Sequence, residues 1–321
     1  MSNNQPQNIP SAAKMLEMAK LQIVAEAFLE GPLKENGNRV PTPKEKPYMK
    51  GDKIFSALDK DLLMRGNDHT SKLTEAQAEQ FMQDWEVISY MPITATGFSG
   101  TLFRAKRPIK DEKGEIIFDE GKLVMSFRST EFIDDAARDN QATNVMEIAD
   151  KGWAFGQISD MEQWLQYLQS EEGGKLIGKD NPIDITGYSL GGHLATAFNI
   201  LHHKEGIINS TYTFNGAGVG GKENLAEMDS ATLKSIIDDF NVNRQYGKME
   251  RLFTFEKSKD YYHRLNNALY MIENKEKSRN IDMDNAIKIM EELERDKVLS
   301  FKNVMDISEE IGKDNIASDA R

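Results

Sequence analysis

The chain has 321 residues, with 40 Lys and Arg against 52 Asp and Glu and a formal net charge of −12. That length holds one large domain or two small ones. An acidic chain has no basic excess to neutralise phosphates, which argues against nucleic acid as a partner and against electrostatic adhesion to anionic lipid. Cysteine is absent, so disulfides and thiolate metal sites are excluded while the redox compartment stays open.

Met1 to Pro10 is polar and rich in Asn, Gln and Pro. It lacks the basic start and apolar core of a secretory signal. No run of about twenty apolar residues occurs, so no integral membrane segment is expected. The expected location is the cytoplasm, or the exterior by a route without a classical signal peptide.

Met15, Met18, Leu21, Val24 and Phe28 recur at helical spacing and predict an amphipathic helix over Met15 to Leu29, stopped by Gly31-Pro32. Such a helix packs on its own domain or serves a membrane or export role. Residues 33–52 are rich in Pro and Lys and read as a loop. A short helix follows over Ile54 to Met64. Thr74 with Gln77 has the form of a capping box and opens a helix running to Trp85.

Strands are predicted at Phe98 to Ala105 and Glu115 to Phe118, joined by a turn at Asp111-Glu112-Lys113-Gly114. Lys122 to Arg128 is a third strand, with Leu123-Val124-Met125 suited to burial on both faces. Gly152 to Leu168 reads as helix, Ile183 to Thr186 as strand, the next segment to His203 as helix, and Thr211 to Asn215 as strand. This alternation over residues 98–221 is that of an α/β fold. Beyond Gly221 the chain turns helical and charged, with helices marked by Leu233 to Phe240, Tyr261 to Ile272 and Ile287 to Leu293. Leu252 to Phe255 is the only strand candidate there. The expected organisation is an N-terminal helical extension over 1–70, an α/β core over 71–221, and a helical C-terminal region or insertion over 222–321.

The chemistry concentrates in Gly187-Tyr188-Ser189-Leu190-Gly191. This is G-x-S-x-G, informative because a β-branched run leads in and a helix-forming run leads out. A serine on so sharp a strand-to-helix turn has its hydroxyl thrust clear of the sheet, and glycines flank it because strand and helix backbones nearly touch. The helix N-terminus then aims free N–H groups at the serine. Ser189 is the candidate nucleophile and the Leu190 amide a candidate oxyanion donor.

The surroundings resemble the class 3 lipases, most closely the bacterial phospholipase A1 branch. The likeness rests on Val124-Met125-Ser126-Phe127-Arg128-Ser129-Thr130, on Lys151 to Ile158 with Asp160, Met161 and Trp164, on Gly187 to Ala195, and on Tyr212 to Val219. It implies an α/β-hydrolase-like central sheet, complete or lacking its last strands, with added N-terminal and C-terminal helices. In that family an apolar strand ends in Phe-Arg-Gly-Ser/Thr, whose last residue completes the oxyanion hole. The matching position is Thr130, which otherwise reads as a strand-end or helix-cap residue. Ser129 departs from the family's glycine. Residues 132–148 lie where such lipases carry a lid, and read equally as a packed helix.

A serine nucleophile needs a histidine base and an acid to orient it. The expected order along the chain is Ser, Asp/Glu, His. Of five histidines, His69 lies before the serine, His193 packs along the helix, and His202 with His203 suits a surface or capping role at that helix's C-terminus. His263 alone follows in order, with Asp238, Asp239 and Asp260 as acids and Asp260 nearest. The alternative is that Asp and His lie in residues outside this chain or on another chain.

The resemblance implies a lipolytic serine esterase that forms an acyl-enzyme on Ser189. Its substrate would be a phospholipid cut at sn-1 or a triacylglycerol, met in transient contact with a lipid surface, with no metal or organic cofactor. Two alternatives stand beside it: a catalytically incomplete hydrolase fold serving as a scaffold or binding module, and a non-lipolytic carboxylesterase or thioesterase.

Overall fold

The computed structural model describes residues 10–27, 29, 47–51, 60–66, 72–94, 96–130, 148, 153–219, 231, 233, 234 and 237. Helix α1, Ala12–Ala25, starts where the Ser11 hydroxyl accepts from the Lys14 amide at 3.2 Å. Its buried face carries Met18, Leu21, Val24 and Ala25 together with Glu17 and Gln22. Met15, placed in the apolar stripe by its spacing, is instead exposed. The helix ends four residues before Leu29, with Glu26 as its C-cap.

Strand β1, Tyr48–Met49, falls within the predicted loop. Helix α2 covers Lys60–Arg65; the predicted start at Ile54 lies outside the described residues. Helix α3, Glu75–Asp84, opens with the capping box, in which the Gln77 amide donates to Thr74 Oγ1 at 3.3 Å and the Thr74 amide to Gln77 Oε1 at 2.9 Å. The chain then passes directly into β2, Trp85–Met91. This strand was not anticipated, because six of its seven residues are buried and no polar alternation marks it.

The remaining elements are β3 (Gly100–Ala105), β4 (Ile109–Lys110), β5 (Ile116–Phe118), β6 (Leu123–Phe127), α4 (Phe155–Gln169), β7 (Ile183–Tyr188), α5 (Leu190–His202) and β8 (Ile208–Phe214). The turn at Asp111 is present, its carboxylate accepting from the Lys113 and Glu115 amides, both at 2.9 Å. It joins β4 to β5 as a separate hairpin, and does not join Phe98–Ala105 to Glu115–Phe118 as expected; β3 pairs with β2 and β6.

A six-stranded sheet runs β1-β2-β3-β6-β7-β8. Its first four strands pair antiparallel and β6, β7 and β8 pair parallel. Helix α4 precedes β7 and α5 precedes β8, and residues of both helices share one core on the same face of the sheet. Phe127, Ile183, Ile185, Leu194 and Phe198 belong to that core, which also takes in Leu233 and Ile237. The opposite face is covered by α1, which packs across β3, β6, β7 and β8, and by Leu62, Leu63, Ala78 and Phe81 of α2 and α3. Trp85, Phe103 and Val124 meet Met18 and Leu21 there. The chain is thus a mixed α/β structure with helices on both sides of the sheet.

One register row places a hydroxyl on every strand: Tyr48, Tyr90, Thr101, Ser126, Thr186 and Tyr212. The row lies on the α1 side, since Thr186 Oγ1 donates to the Met18 carbonyl at 3.4 Å. Thr101 and Ser126 are fully buried and their hydroxyls have no hydrogen-bond partner among the described residues. No described helix is long and apolar enough to cross a membrane. The helices expected at Tyr261 to Ile272 and Ile287 to Leu293, and the strand at Leu252 to Phe255, lie outside the described residues.

Candidate functional site

Between β7 and α5 the backbone turns at Ser189, with φ 49° and ψ −116°. A positive φ is strained for any residue bearing a Cβ and persists only where the surroundings enforce it. Three backbone hydrogen bonds do so. The Ser189 amide donates to the Phe214 carbonyl at 3.1 Å, while its own carbonyl accepts from His193 at 3.1 Å and from Ala217 at 2.9 Å.

The flanking glycines are required by close approach. A Cβ on Gly191 would meet the Phe127 carbonyl oxygen at 2.2 Å, so the first turn of α5 lies directly on the end of β6. A Cβ on Gly192 would meet the Gly216 Cα at 2.6 Å, which brings in the loop after β8. That loop leaves the strand through Asn215, also at positive φ (44°), a conformation asparagine tolerates better than most residues.

Ser189 occupies the N-cap of α5 but forms no side-chain cap bond. A serine at this position ordinarily spends its hydroxyl on the first-turn amides. Here the residue is half-buried and its hydroxyl has no hydrogen-bond partner among the described residues, and the first-turn N–H groups, Leu190 included, have no partner within the helix. Register places Gly187 opposite Phe127, so the segment Arg128-Ser129-Thr130 leaves β6 beside the sharp turn at Ser189, the elbow between β7 and α5. Ser189, Leu190 and Thr130 therefore share one edge of the sheet, at the C-terminal ends of the parallel strands. Ligands bind at that edge in open α/β sheets. Thr130 is buried.

No family model, curated protein or solved structure matches this chain. The site stands on its own geometry.

The three described histidines are each held away from Ser189. His193 is fully buried; its Nδ1 donates to the Gly218 carbonyl at 3.0 Å and its Nε2 accepts from the Ala154 amide at 3.2 Å. Burial pushes its pKa from the ordinary value down to about 4, against the pull of the Gly218 and Ala217 carbonyls. Trp153 sets an edge against the ring, with centroids 5.8 Å apart. His193 is a neutral clip joining α5, the entry to α4 and the loop after β8.

His202 and His203 lie at the other end of α5, about 20 Å from Ser189 at 1.5 Å per residue. His202 departs from the expected surface role: it is buried, with Nε2 2.8 Å from Glu162 and Nδ1 3.0 Å from Glu205. Burial opposes its charge, but Glu162 and Glu205 outweigh it and hold the pKa above the ordinary histidine value. His203 is exposed and caps the Asn199 and Ile200 carbonyls through Nδ1 at 3.1 and 3.0 Å.

His69, Asp238, Asp239, Asp260 and His263 lie outside the described residues. So does the segment 132–148, expected as a lid or a packed helix, apart from Ile148, which is buried in the α4–α5 core.

One residue at this edge escaped the sequence reading. Glu26, the C-cap of α1, is buried; its Oε1 accepts from the Ser129 amide and its Oε2 from the Ser129 hydroxyl, both at 2.9 Å. The partners are 103 residues apart, and no local pattern distinguishes Glu26 from the solvated glutamates of other helices. The only signal was the serine standing where the resembling family has glycine.

Proposed function

We propose that the chain is a serine hydrolase of the lipolytic type, with Ser189 as nucleophile. The observation that carries this reading is a strained serine at a helix N-terminus whose hydroxyl neither caps the helix nor bonds any described group. Strain of this kind is costly, and a turn without chemistry has no need of it. The central sheet is accordingly read as α/β-hydrolase-like.

In the proposed reaction, Ser189 Oγ attacks an ester carbonyl carbon while its proton passes to a base. The oxyanion accepts hydrogen bonds from the Leu190 amide and from Thr130. Collapse expels the alcohol, which takes up the proton, and leaves an acyl-enzyme. Water then adds to the acyl carbon as the base takes its proton; collapse breaks the bond to Ser189 Oγ, which takes that proton back, and the free acid is released. His263, oriented by Asp260, is the proposed base within this chain. The substrate class, glycerophospholipid cut at sn-1 or triacylglycerol, rests on the resemblance of the four sequence blocks.

A second reading has an observation in its favour. The described histidines are all engaged elsewhere, which suits a hydrolase fold retained as a scaffold. A fluorophosphonate probe separates the two. Labelling of the wild-type chain that is lost in Ser189→Ala supports the hydrolase; an unlabelled wild-type chain supports the scaffold. Comparing long-chain phospholipid with short soluble esters then distinguishes a lipolytic enzyme from a general carboxylesterase or thioesterase.

A further inference from the structure

Helix α1 is fastened to the sheet at three levels. Lys14 Nζ lies 3.3 Å from Asp184 Oδ2 near the start of β7, the Met18 carbonyl accepts from Thr186 midway, and Glu26 holds Ser129 just past the end of β6. The last contact is chemically unusual. Glu26 sits at the C-terminus of α1, where the helix dipole repels negative charge. It is also buried, where a carboxylate is unfavourable unless its oxygens are hydrogen-bonded. Two of the compensating donors come from one residue, Ser129, through its amide and its hydroxyl; Gln22 Nε2 supplies another to Oε1.

The constraint runs both ways. Ser129 immediately precedes Thr130 on the segment that faces the elbow. Fixing its N–H and O–H toward α1 fixes the peptide plane entering Ser129 and the placement of its Cα and side chain, which narrows the directions open to the next residue, Thr130. A glycine at position 129 would supply one of these bonds; serine supplies both.

We infer that Glu26 is a positioning residue for the oxyanion hole: by gripping Ser129 it aligns Thr130 with the Leu190 amide, and it makes the docking of α1 a condition for turnover at Ser189. This inference rests on the serine-hydrolase reading. Glu26 touches no reacting atom and acts only through Ser129.

The test uses the full chain, a fluorophosphonate and a soluble p-nitrophenyl ester, with the fold of each variant checked by circular dichroism. Glu26→Ala is expected to lower kcat and the labelling rate about 10–100-fold with KM nearly unchanged, since displaced oxyanion donors act on the transition state. Glu26→Gln is expected to recover most of the rate, because its amide oxygen accepts from the Ser129 N–H while its NH2 donates to Oγ. Ser129→Ala should fall between, and adding it to Glu26→Ala should cause little further loss, as for two residues in one network.

Wild-type kcat in Glu26→Ala, no recovery in Glu26→Gln, or losses that multiply in the double variant overturn the inference and leave the hydrolase reading standing. An unlabelled wild-type chain removes both. Should Glu26→Ala fail to fold, Ser129→Ala decides alone: a several-fold lower kcat at unchanged KM supports the inference, and an unchanged kcat overturns it.

Discussion

A Cβ built on Gly187 would lie 2.1 Å from the carbonyl oxygen of Gly191. The end of the strand and the first turn of the helix thus meet backbone to backbone across the serine. Neither carbonyl nor strand can retreat without breaking the sheet or α5. Gly187→Ala is expected to destabilise the fold by about 3 kcal/mol or more and to abolish fluorophosphonate labelling. Chemical denaturation measures the first effect; an unchanged midpoint would mean that the close approach is relaxed in solution.

Ser189 itself stores strain. At φ 49° and ψ −116°, a residue without a Cβ is more at ease. Ser189→Gly is expected to raise stability by about 1 kcal/mol, the relief of strain exceeding glycine's larger loss of chain entropy. The same substitution removes the proposed nucleophile. A gain in unfolding free energy with loss of labelling would be the outcome of a site that exchanges stability for function.

Burial depresses His193 to about 4 in the folded chain, against an unfolded value near 6.5. Between those values the unfolded chain binds the extra proton, so stability rises with pH in that window. The contribution is present above pH 6.5 and is lost as pH falls toward 4. From pH 7 to pH 5 the loss is expected to be about 2 kcal/mol. Denaturation of wild type and His193→Asn at both pH values checks this. The variant should start lower at pH 7 and lack this part of the acid sensitivity.

His202 has the opposite sign. Its folded pKa is raised, with Glu162 and Glu205 outweighing burial. Its contribution is therefore complete below the unfolded value near 6.5 and is lost as pH climbs through the folded value. Glu162→Gln is expected to cost about 2 kcal/mol at pH 6 and less at pH 9. A penalty equal at both pH values would show that the pair is held by packing and not by charge.

The hydroxyl row beneath α1 yields a prediction of gain. Thr101 Oγ1 and Ser126 Oγ are buried without described partners, so each keeps the desolvation penalty of a polar group and none of the return of a bond. Thr101→Val, nearly isosteric, is expected to stabilise by about 1 kcal/mol. A loss in thermal or chemical denaturation would mean that the hydroxyl is bonded in solution.

Where physics is local, the residues announce it. The Thr74–Gln77 capping box closes within three residues, and Gly187, Ser189 and Gly191 lie within five, so each could be read without knowing the rest of the chain. β2 could not be read, because burial on both faces erases the alternation that marks a half-buried strand. The turn at Asp111 was legible from its composition, but its strand partners were not, since a turn signal does not say where the strands beside it end.

The sequence by itself determined the α/β alternation, the elbow and the helix that follows, because steric limits and hydrogen-bond satisfaction over a few residues leave little choice there. Tertiary structure alone decided that α1 helps close the second face of the sheet, that His202 is buried between two glutamates, and that Glu26 grips Ser129. A glutamate or histidine on a helix looks the same in sequence whether it meets water or a partner. The distinction arises only when segments far apart in the chain are packed together and the unsatisfied charge must find its donors.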